Sequence, residues 1–484
     1  MRTRRPLCSS ISETEEFYNL CDELGIMVTQ QIFGRSIPDE ALAVACIDDM
    51  MRRVRTHPSL AHFLAHDETF PTDTLDTAYQ GLIEKYRVHR TYQPHSGTFM
   101  NASRKKTGGT RTGTRELWTY AMPSHYYLRQ QDGAWGFAQS GGIGGIVAAR
   151  DSLRQMMPED QLWPPLTTEA WSFHTVTQGG EYFDTVMRNM EWSYGAPANL
   201  DDFLSKIYAM NYNSARGMFE AYGRNKYAAT GITTWKYDAA WPAAMTWQYI
   251  DWYLRPTAAY FGAKKACEPL HIQYAYDDQA IYVVNARYEE VKGLRAEAVV
   301  YDGALQERLR ETATVDVGPD AVVKALTPAW PADLTATYFL KLTLSGTDGA
   351  VRSENFYWLS TTPDVPGAAR EDFKTGLFFT KPKSCADFTA LAALPEAHLE
   401  SQTQFAEQGA NTVATVTLTN PGPGLAFLVQ LAVTKDGVEA GPTYWSDNFF
   451  AMLPGETKTV TATTPTAEVA GSAPQVRVLG WNVK

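Results

Sequence analysis

Cysteine is scarce in this chain: five residues among 484, at Cys8, Cys21, Cys46, Cys267 and Cys385. An odd number at wide, irregular spacing supports neither a disulfide framework nor the close ligand pairs of a zinc site. No zinc site is therefore expected, and no other metal or cofactor is indicated. Long apolar runs are missing too. None approaches the roughly 20 residues that cross a bilayer, which argues against a membrane span. Basic charge is in deficit, with 43 Lys and Arg against 54 Asp and Glu and a formal net charge of −11. Phosphate recognition needs clustered Lys and Arg, so nucleic acid is excluded as the expected partner. The opening residues MRTRRPLCSSI are basic but lack the apolar core of a secretory signal, and they leave the compartment unassigned. The segment GGTRTGTR at 108–115 lacks the Gly-Lys-Ser/Thr ending of a phosphate loop and is set aside.

Aromatic residues, by contrast, are plentiful, with 13 Trp and 25 Tyr. Such rings fill cores, and their flat faces also stack on the C–H faces of sugars. The length suits about three domains. Residues 12–24 read as a helix with Phe17, Leu20, Cys21 and Leu24 on one side, ended by Gly25 before a short strand at 26–28. A second helix at 38–55, a strand at 60–65 and a helix at 74–86 continue the alternation. Strands at 97–101 and 134–139, a helix at 200–222 and a strand at 231–237 complete it. That is the rhythm of an α/β barrel with fewer than the eight strands that close one. From Leu270 the period shortens to alternating runs such as HIQYAYDD and AEAVVYD, the pattern of a β-sandwich ending near Ser360. The segment TTPDVPGAARED at 361–372 reads as a linker, and a second sandwich follows from Phe373. The expected fold class is α/β plus all-β. It comprises a partial (β/α)8 TIM barrel at 1–266 and two immunoglobulin-like β-sandwich domains at 267–361 and 373–484.

The most informative stretch is HPSLAHFLAHDE at 57–68. A strand that can be buried on both faces ends in two adjacent acids, and active sites of α/β barrels lie where strands end. Seen alone, Asp67 and Glu68 would be two solvated acids at a loop start. The whole stretch, however, resembles the acid/base motif of glycoside hydrolase family 2, where an apolar strand after His-Pro-Ser ends in Gly-Asn-Glu or Gly-Ser-Asp. Further blocks resemble the same family in order: EEFYNLCDELGIMV from Glu15, GAWGF from Gly133, AYFGAKKACEPLHIQY from Ala259 and NFYWLS from Asn355. WSDNFFAMLPGET from Trp445 and RVLGWN from Arg477 are weaker matches to its terminal domain. The resemblance is closest to the exo-β-D-glucosaminidase and mannosylglycoprotein endo-β-mannosidase branch. In that family a sugar-binding β-domain, an immunoglobulin-like domain and the first barrel strands precede the position of Glu15, so the chain reads as the C-terminal portion. Relatives are often extracellular.

The resemblance implies a retaining glycosidase acting on β-linked glucosamine or mannose, with a carbohydrate partner such as chitosan or a mannose-containing glycan. Retention requires two carboxyl groups about 5 Å apart, one donating a proton and one attacking the anomeric carbon. Glu68 takes the proton donor's place. The nucleophilic glutamate falls, by ungapped alignment from Gly133, on Ser140 in GAWGFAQSGG. A neutral serine lacks an activating base and gives little stabilisation to an oxocarbenium ion, so hydrolysis is placed in doubt. A catalytically inactive carbohydrate-binding protein or a truncated gene product is the alternative. Asp238, ending GITTWKYD, is either a substitute nucleophile, a substrate hydroxyl ligand or a helix cap. Asp67 either pairs with a 2-ammonium group of glucosamine or raises the pKa of Glu68. Trp135, Trp235 and Trp241 are candidates for a sugar platform or for the core. His66 replaces a family glycine, and His57 is expected to be structural.

Overall fold

The structure, a computed structural model, describes residues 7–9, 13–32, 37–66, 71–95, 120–130, 133–175, 181–367 and 382–484. Four short strands form its first sheet: β1 (Leu7–Ser9), β2 (Val28–Gln31), β3 (Leu60–His66) and β4 (Thr91–His95), in that order and all parallel. Helices α1 (Glu15–Leu24), α2 (Glu40–Val54) and α3 (Asp73–Lys85) connect them. Each helix begins where a side-chain oxygen meets an otherwise orphaned amide. Thr14 accepts from Phe17, Asp39 from Leu42 and Thr72 from Leu75. Gly25, at φ 59°, turns the chain out of α1 through the left-handed region. The helices lay Tyr18, Ile47, Met51 and Tyr79 on Val28 and Phe63 to make one buried core.

Strand β2 runs later than the pattern suggested, from Val28 to Gln31, and all four residues are buried. Two glutamines at fully covered positions hide it from a hydrophobicity reading. Gln30 is held by the Tyr18 hydroxyl and itself donates to the Gln31 carbonyl at 2.7 Å, which satisfies its amide inside the core. The strand expected at 97–101 lies outside the described residues.

A second group of elements follows. They are α4 (Pro123–Leu128), β5 (Gly136–Gly141), β6 (Ile146–Val147), α5 (Arg150–Met156), α6 (Glu169–Phe173), α7 (Glu181–Tyr194), α8 (Leu200–Arg224), β7 (Ala229–Thr234), β8 (Met245–Thr246) and α9 (Ala258–Ala266). β5 pairs with β7 in parallel, and β6 with β8 in antiparallel. Among the described residues, the β1–β4 sheet and the β5–β7 pair are separate sheets, and no closed barrel is seen. Helix α8 is buried nearly all round, from Phe203 to Tyr222, as a central helix must be. Two of its buried polar side chains bond the backbone of neighbouring segments: Asn211 at Gly145 and Val147, and Ser214, which donates to the Ala121 carbonyl.

Strands β9 (Leu270–Tyr274), β10 (Ile281–Asn285), β11 (Val291–Tyr301), β12 (Glu307–Val317), β13 (Val322–Leu326), β14 (Thr337–Ser345) and β15 (Val351–Ser360) form two antiparallel sheets. Their orders are β13-β10-β9 and β12-β11-β14-β15. Ile272 and Val283 meet Val300, Leu342 and Tyr357 in one core. A second sandwich is built from β16 (Glu400–Gln408), β17 (Asn411–Thr419), β18 (Ala426–Lys435), β19 (Val438–Glu439), β20 (Tyr444–Trp445), β21 (Phe450–Met452), β22 (Thr457–Pro465) and β23 (Gln475–Leu479). One sheet is β16-β17-β22-β20; the other is β19-β18-β21 with β23 on β18. The change from helical to alternating period near Leu270 is thus seen as expected.

The segment read as a linker is docked over its described part. Val365 bridges to Ser384, the Asp364 carboxylate accepts from Ala386, and Arg129 donates to the Gly367 carbonyl at 2.9 Å. Its Pro, Gly and Asp content marks irregular backbone, which is as compatible with a packed crossing as with a free tether.

Candidate active site

Parallel strands place their carboxyl ends along one edge. In the first sheet that edge is formed by Gln31, His66 and His95, with His66 and His95 in direct register. His66 is 2 % exposed, packs near Tyr79 and is kept below the ordinary imidazole pKa by burial. Asp67 and Glu68, the acids that follow it, lie outside the described residues. His57 sits at the other end of β3. It is buried, with Nδ1 2.7 Å from Asp22 and Nε2 3.2 Å from Glu15. Asp22 also accepts from the Ser59 amide, and the bonds from Ser59 and His57 outweigh burial to hold its carboxyl below the usual range. The histidine therefore pins α1 to the entry of β3, a structural role.

The second edge is made by β5 and β7. Ser140 is the penultimate residue of β5, and Gly141 pairs with Thr234 at the end of β7. The approach beyond is close. A Cβ on Gly142 would meet the Trp235 carbonyl at 2.8 Å, and one on Gly231 would meet the Phe137 ring at 2.7 Å. Glycine at 142 lets the two strand ends approach closely, and glycine at 231 does the same nearer the start of the pair. Trp235 and Asp238 follow directly, so the Ser140 position and the Asp238 loop share one end of the strand pair.

Asp238 is exposed, and its backbone forms an isolated bridge with Ile250. No helix starts at Asp238, so the capping reading is not met. Trp235 is 42 % exposed and carries the Lys236 ammonium over its ring at 4.9 Å. Trp241 is half-buried. His174 stacks on it at 5.7 Å and Phe173 meets it edge-on at 5.5 Å. Each of these tryptophans thus has one face taken, by a cation or an imidazole. Trp135 precedes Gly136 and stands at the opposite end of β5 from Ser140, about 16 Å away at strand rise. It is left out of the site assembled here.

Phe173 and His174 were not singled out from the sequence, because SFHT belongs to no motif. Their part comes from a long-range contact: the His174 ring nitrogen lies 2.7 Å from the Pro242 carbonyl, which fixes it beside Trp241. Among the described residues, no group of His, Cys, Asp and Glu could hold a metal ion.

Comparison with known proteins adds four likenesses. A family model described as the exo-β-D-glucosaminidase Ig-fold domain matches residues 377–483. The exo-β-D-glucosaminidase of Streptomyces avermitilis is 32% identical over 503 residues, covering 97% of this chain and 54% of that protein. The mannosylglycoprotein endo-β-mannosidase of Lilium longiflorum is 24% identical over 568 residues, covering 98% of this chain and 58% of that protein. Among solved structures, the Amycolatopsis orientalis exo-chitosanase CsxA superposes with a TM-score of 0.87 at 28% identity, over 99% of this chain and 59% of that one. The chain spans about half the length of the curated relatives it matches.

Proposed function

We propose that this chain is a member of glycoside hydrolase family 2, in the exo-β-D-glucosaminidase and endo-β-mannosidase branch, and that it carries a retaining glycosidase site for β-linked glucosamine or mannose. The site is disabled at one position. Glu68 donates the proton, and Ser140 occupies the place of the nucleophilic carboxylate. In this reading residues 1–266 form a partial (β/α)8 barrel, followed by immunoglobulin-like units at 267–361 and 373–484.

The observation that carries this reading is the meeting of the β5 and β7 ends, where Ser140 and Asp238 share one edge. A second observation supports it. The Amycolatopsis orientalis exo-chitosanase has been solved with PNP-β-D-glucosamine after replacement of one aspartate or one glutamate by alanine. Those two positions stand as far apart in that sequence as Glu68 and Ser140 stand in this one. Asp67, beside the donor, pairs with the 2-ammonium of glucosamine in this reading, a charge-assisted contact that mannose lacks. Trp235, Trp241 and Asp238 bind the sugar.

Retention needs a carboxylate at the anomeric carbon, and a serine hydroxyl does not supply one. Ser140 therefore also favours a second reading, a carbohydrate-binding protein that has kept the pocket without turnover. Hydrolysis of nitrophenyl β-D-glucosaminide and β-D-mannoside by the chain and by Ser140→Glu separates the two. Turnover in the variant, or azide rescue of the parent, supports the disabled enzyme. Sugar binding without either outcome supports the binding protein, and neither binding nor turnover sinks both.

A further inference from the structure

A cavity of about 150 Å³ lies where α8 and α9 meet β15 and the β21–β22 end of the last sandwich. None of its lining residues comes from the strand ends that carry Ser140 and Asp238. It has room for about ten waters, the space of one small molecule and too little for an oligosaccharide.

One wall is aromatic, with Phe356, Phe427 and Phe450. Around it runs a ring of alternating charge. Lys341 pairs with Glu456 and, at 3.2 Å, with Glu354. Lys458 pairs with Asp447 at 3.0 Å and reaches Glu354 at 3.9 Å, while Lys265 lies 3.8 Å from Asp447. Three ammonium groups and three carboxylates cancel. An entering ion of either sign would have to break existing pairs, whereas a neutral ligand would not.

Tyr212 is the residue that points to an occupant. It is 5 % exposed and lines the cavity, with its ring packed near Trp358 and under the Arg216 guanidinium. None of the described residues hydrogen-bonds its hydroxyl. Burial raises that phenol to about 12, so it stays protonated and able to donate. The hydroxyl is open to the cavity rather than sealed in the core, so a molecule seated there can accept from it.

We propose that this junction cavity binds one uncharged, hydroxyl-rich molecule of monosaccharide size, with Tyr212 donating to it. Hydroxyl groups both give and accept hydrogen bonds, so they can interleave with lysines and carboxylates without unbalancing the ring. C–H faces suit the phenylalanine wall. Since α8, β15 and the last sandwich all contribute, the ligand stabilises their docking. The site does not depend on hydrolysis at the strand ends.

The test uses the whole chain, with glucose, glucosamine and inorganic phosphate as probes in saturation-transfer NMR and calorimetry. Glucose should bind saturably and raise the melting temperature. Tyr212→Phe, which removes only the hydroxyl, should weaken it about three- to tenfold, and Glu354→Gln should weaken it as well. Glu68→Gln should leave this binding unchanged. Absence of saturable glucose binding overturns the proposal, as does binding that survives both cavity variants or disappears in Glu68→Gln. Preferential phosphate binding that is lost in Lys341→Met also overturns it, because the cavity would then be an anion site.

Discussion

His271 and Glu220 meet with both side chains buried, the imidazole Nε2 3.0 Å from the carboxylate. The other ring nitrogen lies 3.1 Å from Glu268, so one imidazole from β9 stands between two acids, one of them on α8. Burial works against the charged ring, but the bonds to Glu220 and Glu268 prevail and raise its pKa above the ordinary 6.5. Glu268 is driven the other way, to about 2, where burial is outweighed by His271 and Lys265. The signs define a window. The raised imidazole contributes stability that is complete below about 6.5 and lost as pH rises through its folded pKa. The depressed carboxyl contributes stability that is complete above about 4.5 and lost as pH falls toward 2. Urea midpoints should therefore show both contributions in full between about pH 4.5 and 6.5. The advantage of the parent over His271→Gln should shrink above neutrality, whereas parallel curves for the two proteins would exclude the linkage.

Removing Glu220 should cost more than any surface ion pair. Its Oε1 also accepts from the Tyr357 hydroxyl at 2.7 Å and from Asn355 at 2.8 Å, while Arg216 on the same helix reaches Asn355 and the Phe356 carbonyl. Glu220→Ala would leave a buried imidazolium and a buried guanidinium short of charge. A loss of about 3–5 kcal/mol is expected in chemical denaturation. A change within experimental error would mean that this network does not hold α8 to the sandwich.

Much of this fold was legible in the chain, and what escaped has definite physical causes. Helices α1, α2 and α3 are legible from the spacing of their apolar residues, with Gly25 ending α1, because helical period and capping are local. Sandwich strands such as β17 and β22 show their period of two because one face of each is wet. β2 was misplaced because Gln30 and Gln31 are polar yet buried, and the Tyr18 hydroxyl that holds Gln30 comes from α1, outside the strand's own window. For the site, GAWGF located β5 and the strand-end logic located Asp238, yet Trp135 and Ser140 fall at opposite ends of one strand. A motif gives positions along the chain but not the end at which they emerge. Glu268 and His271 lie in the block from Ala259, but their meeting with Glu220 on α8 is a long-range contact that the block does not announce.

Gly142→Ala should separate the two strand ends. Its new methyl would sit 2.8 Å from the Trp235 carbonyl, a contact with backbone that no rotamer change relieves. In a Ser140→Glu background, turnover of nitrophenyl glycosides should fall about 100-fold while the melting temperature moves little, since an ångström-scale displacement of the reacting groups is enough. Unaltered turnover would show that the β5–β7 edge is not where the sugar reacts.

Asp238→Asn decides between the two roles left to that residue. As a ligand for a sugar hydroxyl, the exposed carboxylate contributes binding that is similar in ground and transition states. The asparagine variant, made on Ser140→Glu, should then raise KM several-fold with kcat nearly unchanged. As a substitute nucleophile it would be indispensable to any turnover in the parent chain and dispensable once Ser140→Glu has restored a carboxylate. The kcat and KM of the two proteins therefore move in opposite patterns. We expect the KM pattern, because Asp238 follows β7 in an irregular loop held to Ile250 by backbone alone. Among the described residues no hydrogen bond or ion pair fixes its carboxylate, and a nucleophile must be held within a fraction of an ångström of the anomeric carbon.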